Sequence, residues 1–109
     1  MLSEDIKEEL INGLNEILVN KIDKIILYGS IVRGNATKGS DIDIAIILQK
    51  SMLEDEKDRF IHWNAQMDLK YGVVFSIVDI EKKNIEKWGA VLPFYKNIQD
   101  EGVVLWEAA

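Results

Sequence analysis

Apolar residues in the first part of the chain, Ile6, Leu10, Leu14, Ile17 and Leu18, return at the spacing of one helix face. This predicts a helix with one side buried. Ser3 stands where its hydroxyl caps that helix, and Glu4 and Asp5 fall in the first turn, favourable at the positive end of the helix dipole. Lys21 to Lys24 reads as a polar break. The apolar run Ile25-Ile26-Leu27-Tyr28 then predicts a short central strand that Gly29 stops. Ser30 to Arg33 suits a brief helical turn, and Gly34-Asn35-Ala36-Thr37-Lys38-Gly39 has loop composition.

From Asp41 to Leu48 the period changes to two. Ile42, Ile44, Ile46 and Leu48 share one face of a strand, and Asp41, Asp43, Ala45 and Ile47 share the other. Ser51 with Glu54 three residues later predicts a capping box that opens a second long helix. It runs to Tyr71 with Leu53, Phe60, Ile61, Met67 and Tyr71 inward, and Gly72 terminates it. Val73 to Ile80, rich in β-branched residues, reads as a strand. Asn84 to Gly89 predicts a short helix, Pro93 opens a last helix through Ile98, and Gly102 ends it before a strand Val103–Trp106. The expected fold is a single α/β (α+β) domain over 1–109. A mixed sheet carries helices mainly on one face, which leaves the carboxylate face open.

Chemistry concentrates in two short stretches. Along a strand, residues i and i+2 lie about 6.5–7 Å apart on one face. Asp41 and Asp43 therefore form a paired negative site, which costs energy unless a cation or a basic group sits there. Hard divalent cations such as magnesium take oxygen ligands, commonly one or two carboxylates plus substrate phosphates. Gly29 lets backbone approach a phosphate with no Cβ in the way, and Ser30 adds a hydroxyl and an N–H at a helix start. Gly34 and Gly39 have the spacing of P-loop glycines, but Ser40, not lysine, follows Gly39 and the next segment is a strand, so that reading fails.

Gly29-Ser30, ten intervening residues, then Asp41-x-Asp43, with Arg33-Gly34 and Ser40 between, resembles the signature of the polymerase-beta-type nucleotidyltransferase superfamily, most closely its minimal (MNT) branch. The resemblance implies transfer of a nucleoside monophosphate from an NTP to a hydroxyl. Two Mg2+ ions would be held by Asp41 and Asp43, and Gly29, Ser30, Arg33 and Ser40 would lie at the nucleotide, with Arg33 equally able to pair with a surface acid. It also implies a HEPN-type protein partner, as MNT proteins often act as antitoxins, some by adding AMP to that partner. Catalytic members usually carry a third carboxylate on a neighbouring strand. Here that position falls on Ser76, and Asp79 reaches it only through a one-residue bulge. The departure opens a second reading, a non-catalytic nucleotide-binding or oligomerising antitoxin module. A homo-oligomer through the open sheet face or the last helix and strand is compatible with either.

Composition narrows the partners. Of the 109 residues, 48% are hydrophobic and 29% charged, an ordinary globular balance, and there is no cysteine and one histidine, His62. Thiolate metal sites and disulfides are thus excluded, and an imidazole-rich zinc site likewise. A net charge of −6 argues against gripping a long nucleic acid unaided, whereas a small nucleotide neutralised by a cation remains compatible. The acidic N-terminus lacks the layout of a signal peptide, and no apolar run is long enough for a membrane span, so a cytoplasmic location is expected.

Overall fold

The computed structural model describes residues 2–109. Its elements follow the order α1 (Glu4–Ile17), β1 (Ile22–Tyr28), α2 (Ser30–Arg33), β2 (Ile42–Leu48), α3 (Glu54–Tyr71), β3 (Phe75–Glu81), α4 (Lys82–Trp88), α5 (Pro93–Glu101) and β4 (Val103–Glu107). The strands form one mixed sheet in the order β3-β2-β1-β4. β1 runs antiparallel to both β2 and β4, while β2 and β3 are parallel and joined through α3. No helix among the described residues is long and apolar enough to cross a membrane.

The period-two pattern of β2 divides the core. Ile42, Ile44, Ile46 and Leu48 enter one apolar cluster with Leu10 and Leu14 of α1 and Phe60 and Met67 of α3. Ala45 and Ile47 enter a second cluster with Ile26, Ile80, Ile85 of α4 and Ile98 of α5. The two long helices thus cover one face, as the sequence predicts. The other face is not left wholly open, because the short helices α4 and α5 cover the part nearer Ile47. What stays uncovered is the end that carries the carboxylates. Ile85 and Ile98 supply the reason, since each is the buried residue of its helix and joins the cluster of Ala45 and Ile47, with Tyr95 of α5 packed against it.

Several local expectations shift. β1 begins at Ile22, not Ile25, because Ile22 is buried and Asp23 is taken up as a bulge between the pairs Ile22–Leu48 and Lys24–Ile47. The Asp23 carboxylate then accepts from Gln49 Nε2 at 3.0 Å. α3 is not capped by Ser51 and Glu54. Its N-cap is Leu53, whose N–H donates to Glu56 Oε1 at 2.8 Å, so the same spacing operates two residues later. Glu56 is buried and also pairs with the Lys21 ammonium. Leu53 and Ile61, expected inward, are exposed at 60% and 59%, whereas Trp63 packs on the core with its indole against Gly13 of α1, where a Cβ would lie 2.5 Å from Nε1. Trp63 lies on the same helix face as the buried Phe60 and Met67, and it fits the interface because its α1 neighbour has no side chain. At the far end Gly72 adopts φ 67° and closes α3, as expected.

Leu53 N–H and Lys21 hold the Glu56 carboxyl below its ordinary value of 4.5. A carboxyl lowered on folding stabilises the fold fully above the unfolded value, and that contribution is lost as pH falls through the folded one. Glu56→Gln is therefore expected to lower the melting temperature at neutral pH and to flatten its decline below pH 4.5. Thermal melts of both proteins across that range measure this.

Candidate functional site

β1 ends and β2 begins at one edge of the uncovered region, and their register sets the site. Tyr28 lies directly opposite Asp43 on one side, and Ser76 of β3 lies directly opposite it on the other. Tyr28, Asp43 and Ser76 thus form one row across three strands. Asp41 stands two residues before Asp43, just ahead of the strand, and is exposed. The strand alternation carries both carboxylates to the same side.

Above this row the chain turns at Gly29. Its backbone sits at φ 82°, ψ −154°, a conformation open essentially to glycine alone. A Cβ there would fall 2.2 Å from Asp43 Oδ2 and 2.9 Å from its Cγ. The carboxylate therefore packs directly on the Gly29 backbone. α2 follows as a single turn, closed by Arg33 N–H to Gly29 O at 3.1 Å and by Asn35 N–H to Ser30 O at 3.1 Å, with Gly34 at φ 78°. Ser30 opens that turn and Arg33 closes it. The Arg33 guanidinium stands 3.8 Å from the Glu101 carboxylate at the end of α5.

Burial and the charge of Asp41 push the Asp43 carboxyl up, and Arg33 partly opposes them. Burial and the Asp43 charge likewise push the Tyr28 phenol up. Two acids, one partly desolvated, thus face each other with a single guanidinium as counter-charge. A hard cation relieves that repulsion, and among the described residues no group of three or more Asp, Glu, His or Cys side chains gathers to enclose one. A two-carboxylate oxygen set suits a cation that keeps water and takes phosphate as further ligands.

Gly29, Ser30, Asp41 and Asp43 come together, with Arg33 beside them. Ser40 braces the preceding loop, its Oγ accepting from Thr37 N–H at 2.9 Å. Asp79 is not brought in. The β2–β3 register runs without a bulge and sets Asp79 opposite Ile46, three rows from Asp43 and on the alternate face. Three neighbours escape the sequence reading. Tyr28 was legible as the residue before Gly29 on a strand paired with β2. Phe94, whose ring lies 6.0 Å from that of Tyr28, and Glu101 belong to a helix some sixty residues on and leave no local signal.

Residues 8–108 match the family described as polymerase beta, nucleotidyltransferase. Two proteins of Methanocaldococcus jannaschii, both named as candidate protein adenylyltransferases, are similar to the chain. One is 34% identical over 106 residues, 97% of this chain and 100% of the relative. The other is 33% identical over 82 residues, 75% and 82% of the two chains. Among solved structures, a toxin–antitoxin crystallised with AMP-PNP superposes with TM-score 0.63 at 18% identity, covering 94% of this chain and 73% of that one. A tri-AMPylated Shewanella oneidensis HEPN toxin in complex with MNT antitoxin gives 0.62 at 16%, covering 98% and 74%. These last two likenesses are of fold.

The packing of Asp43 on Gly29 yields two expectations. Gly29→Ala costs roughly 1–3 kcal/mol in backbone strain and displaces the Asp43 carboxylate, readable as a drop in denaturation midpoint. Asp43 has its carboxyl raised above the ordinary 3.8, so the native state keeps its proton to higher pH than the unfolded chain. Stability then falls as pH rises through that window. Asp43→Asn removes this penalty and is expected to raise the metal-free melting temperature at neutral pH by a few degrees.

Proposed function

The chain belongs to the polymerase beta nucleotidyltransferase family, and from that premise we propose that it moves AMP from magnesium-bound ATP onto a protein hydroxyl, releasing pyrophosphate. The observation that supports this reading best is the Asp41–Asp43 pair set under the Gly29 turn, two like charges with one guanidinium to balance them. In it Asp41 and Asp43 hold the magnesium, two ions once nucleotide is bound. When present, the metal neutralises phosphate charge and stabilises the attacking and leaving oxygens.

The side chains then divide the remaining work. The Gly29 backbone approaches the triphosphate with no Cβ in the way, and Ser30 offers its hydroxyl and N–H. Arg33 exchanges Glu101 for phosphate. Their 3.8 Å pair is half exposed, so it yields at small cost. Ser40 keeps the loop ahead of Asp41 closed against Thr37. The acceptor oxygen bonds to the α-phosphorus as the bond from that phosphorus to the β-bridging oxygen breaks. Pyrophosphate leaves, and the hydroxyl proton passes to solvent because Ser76 offers no carboxylate. The names of the Methanocaldococcus jannaschii relatives favour a protein acceptor, and the HEPN–MNT complex among the fold neighbours favours a HEPN-type one. A nucleotide substrate and the absence of a membrane-length helix among the described residues suit the cytoplasm.

Ser76 also favours a second reading, in which the domain binds nucleotide and partner without chemistry. With a neutral hydroxyl opposite Asp43, the acceptor side has no acid to take a proton or a second metal.

Incubation with labelled ATP, magnesium and a candidate HEPN-type partner protein separates the two. Transfer of label is expected, and the Asp41→Asn/Asp43→Asn double variant abolishes it. Ser76→Asp is expected to raise the rate roughly 10²-fold, the scale of a positioned acid or base. Partner association without label, unchanged in the double variant, establishes the binding module instead.

A further inference from the structure

Phe94 is 47% exposed although the core beneath it is complete without it. It sits in the first turn of α5, fixed there by Pro93 at the helix start. Its ring meets Tyr28 edge-on, with centroids 6.0 Å apart and planes at 81°, and leans on Tyr95 at 5.9 Å and 49°. Tyr28 in turn stands directly opposite Asp43, where paired Cα atoms of an antiparallel ladder are about 4.5–5.5 Å apart. The other end of α5 reaches the motif turn through the Glu101–Arg33 pair. One helix thus flanks the carboxylates, with an open aromatic ring near its start and the arginine at its end.

We infer that Phe94 is the platform on which the nucleobase of the bound triphosphate stacks, and that it sets a preference for purine over pyrimidine. The inference rests on the reading that Asp41 and Asp43 hold a metal–triphosphate complex. A triphosphate fixed at those carboxylates carries its ribose and base outward along the surface. On the β1 side of the row the ring beyond Tyr28 is Phe94. Tyr28 and Tyr95 hold that ring in place from two directions, so little side-chain freedom is lost when a base covers it. Every base has a π face, and the larger purine covers more of the ring. Leu92 and Val91, exposed at 42% and 67%, continue the apolar surface at the same end of α5. No charged side chain of that first turn competes with the base, since Leu92, Pro93, Phe94 and Tyr95 are all uncharged.

The test compares two probes on the intact protein by calorimetry with magnesium, a non-reactive ATP analogue with a methylene bridge between the α and β phosphorus atoms and inorganic tripolyphosphate. Phe94→Ala is expected to weaken the analogue about tenfold and to leave tripolyphosphate unchanged. Phe94→Tyr keeps the ring, restores the analogue, and shows that the position tolerates substitution. The wild type should also bind the GTP analogue more tightly than the CTP one. Equal weakening of both probes in Phe94→Ala overturns the inference, because the residue is then structural. So does an unchanged analogue affinity. If the wild type fails to bind tripolyphosphate with magnesium, or Asp43→Asn binds it equally well, the metal–triphosphate reading itself falls, and the base platform with it.

Discussion

The close approach of the Asp43 carboxylate to the Gly29 backbone is the constraint on which the rest of the site depends. It is satisfied only if β1 ends where it does, because the Tyr28–Asp43 pairing places the turn directly over the carboxylate. Beneath it, Leu27, Ile44 and Ile46 are fully buried and lock the two strands in that register. A slip of one residue would exchange the core and site faces of β2 and carry Asp43 into the apolar cluster. Core packing therefore maintains a turn that only glycine accepts and a partly desolvated acid that local preferences alone would disfavour. The requirement for glycine at position 29 and the raised carboxyl at Asp43 are two consequences of a single geometry.

The parts of this arrangement that were legible in the sequence are those encoded within one element or across one turn. Alternation along Asp41 to Leu48 separates site from core because a strand has a strict period of two, and the structure divides its two clusters along that line. Ser76 could be placed by the same parity, since β3 pairs with β2 without a bulge. What escaped needed knowledge of another element. Ser51 and Glu54 have capping-box spacing, but the helix starts later because Glu56 has Lys21 as a partner from the turn before β1, thirty-five residues earlier. Ile61 looked inward but is exposed, and the room that lets Trp63 pack between the helices instead is created by a glycine on α1. The cover that α4 and α5 give the second face rests on Ile85 and Ile98, the one buried residue of each short helix, and what they pack against lies on other elements.

Electrostatics connect the site to the composition of the whole chain. The protein carries a net charge of −6, and its candidate site adds a close pair of acids where a triphosphate is proposed to bind. Among the described residues Arg33 is the single cation that offsets Asp43, and it is shared with Glu101. A polyanion arriving alone would meet repulsion both at long range and at contact. A cation arriving alone would find two carboxylates and no enclosing set of further ligands among the described residues. On the proposed reading, neither ligand has a complete site without the other.

The proposed metal and nucleotide are therefore coupled, and the coupling runs equally in both directions. Whatever factor the metal contributes to nucleotide affinity, the nucleotide contributes to metal affinity. Burial and Asp41 disfavour the charged form of Asp43, and a metal–nucleotide complex bound there as proposed would offset that repulsion. A third acid at Ser76 would have deepened the negative field and made the metal less dependent on nucleotide. On the proposed reading, the neutral hydroxyl of Ser76 opposite Asp43 leaves two carboxylates for a cation that brings its own phosphate ligands, so the same residue that weakens the acceptor side of the chemistry would make the site selective for a metal–nucleotide complex over either component.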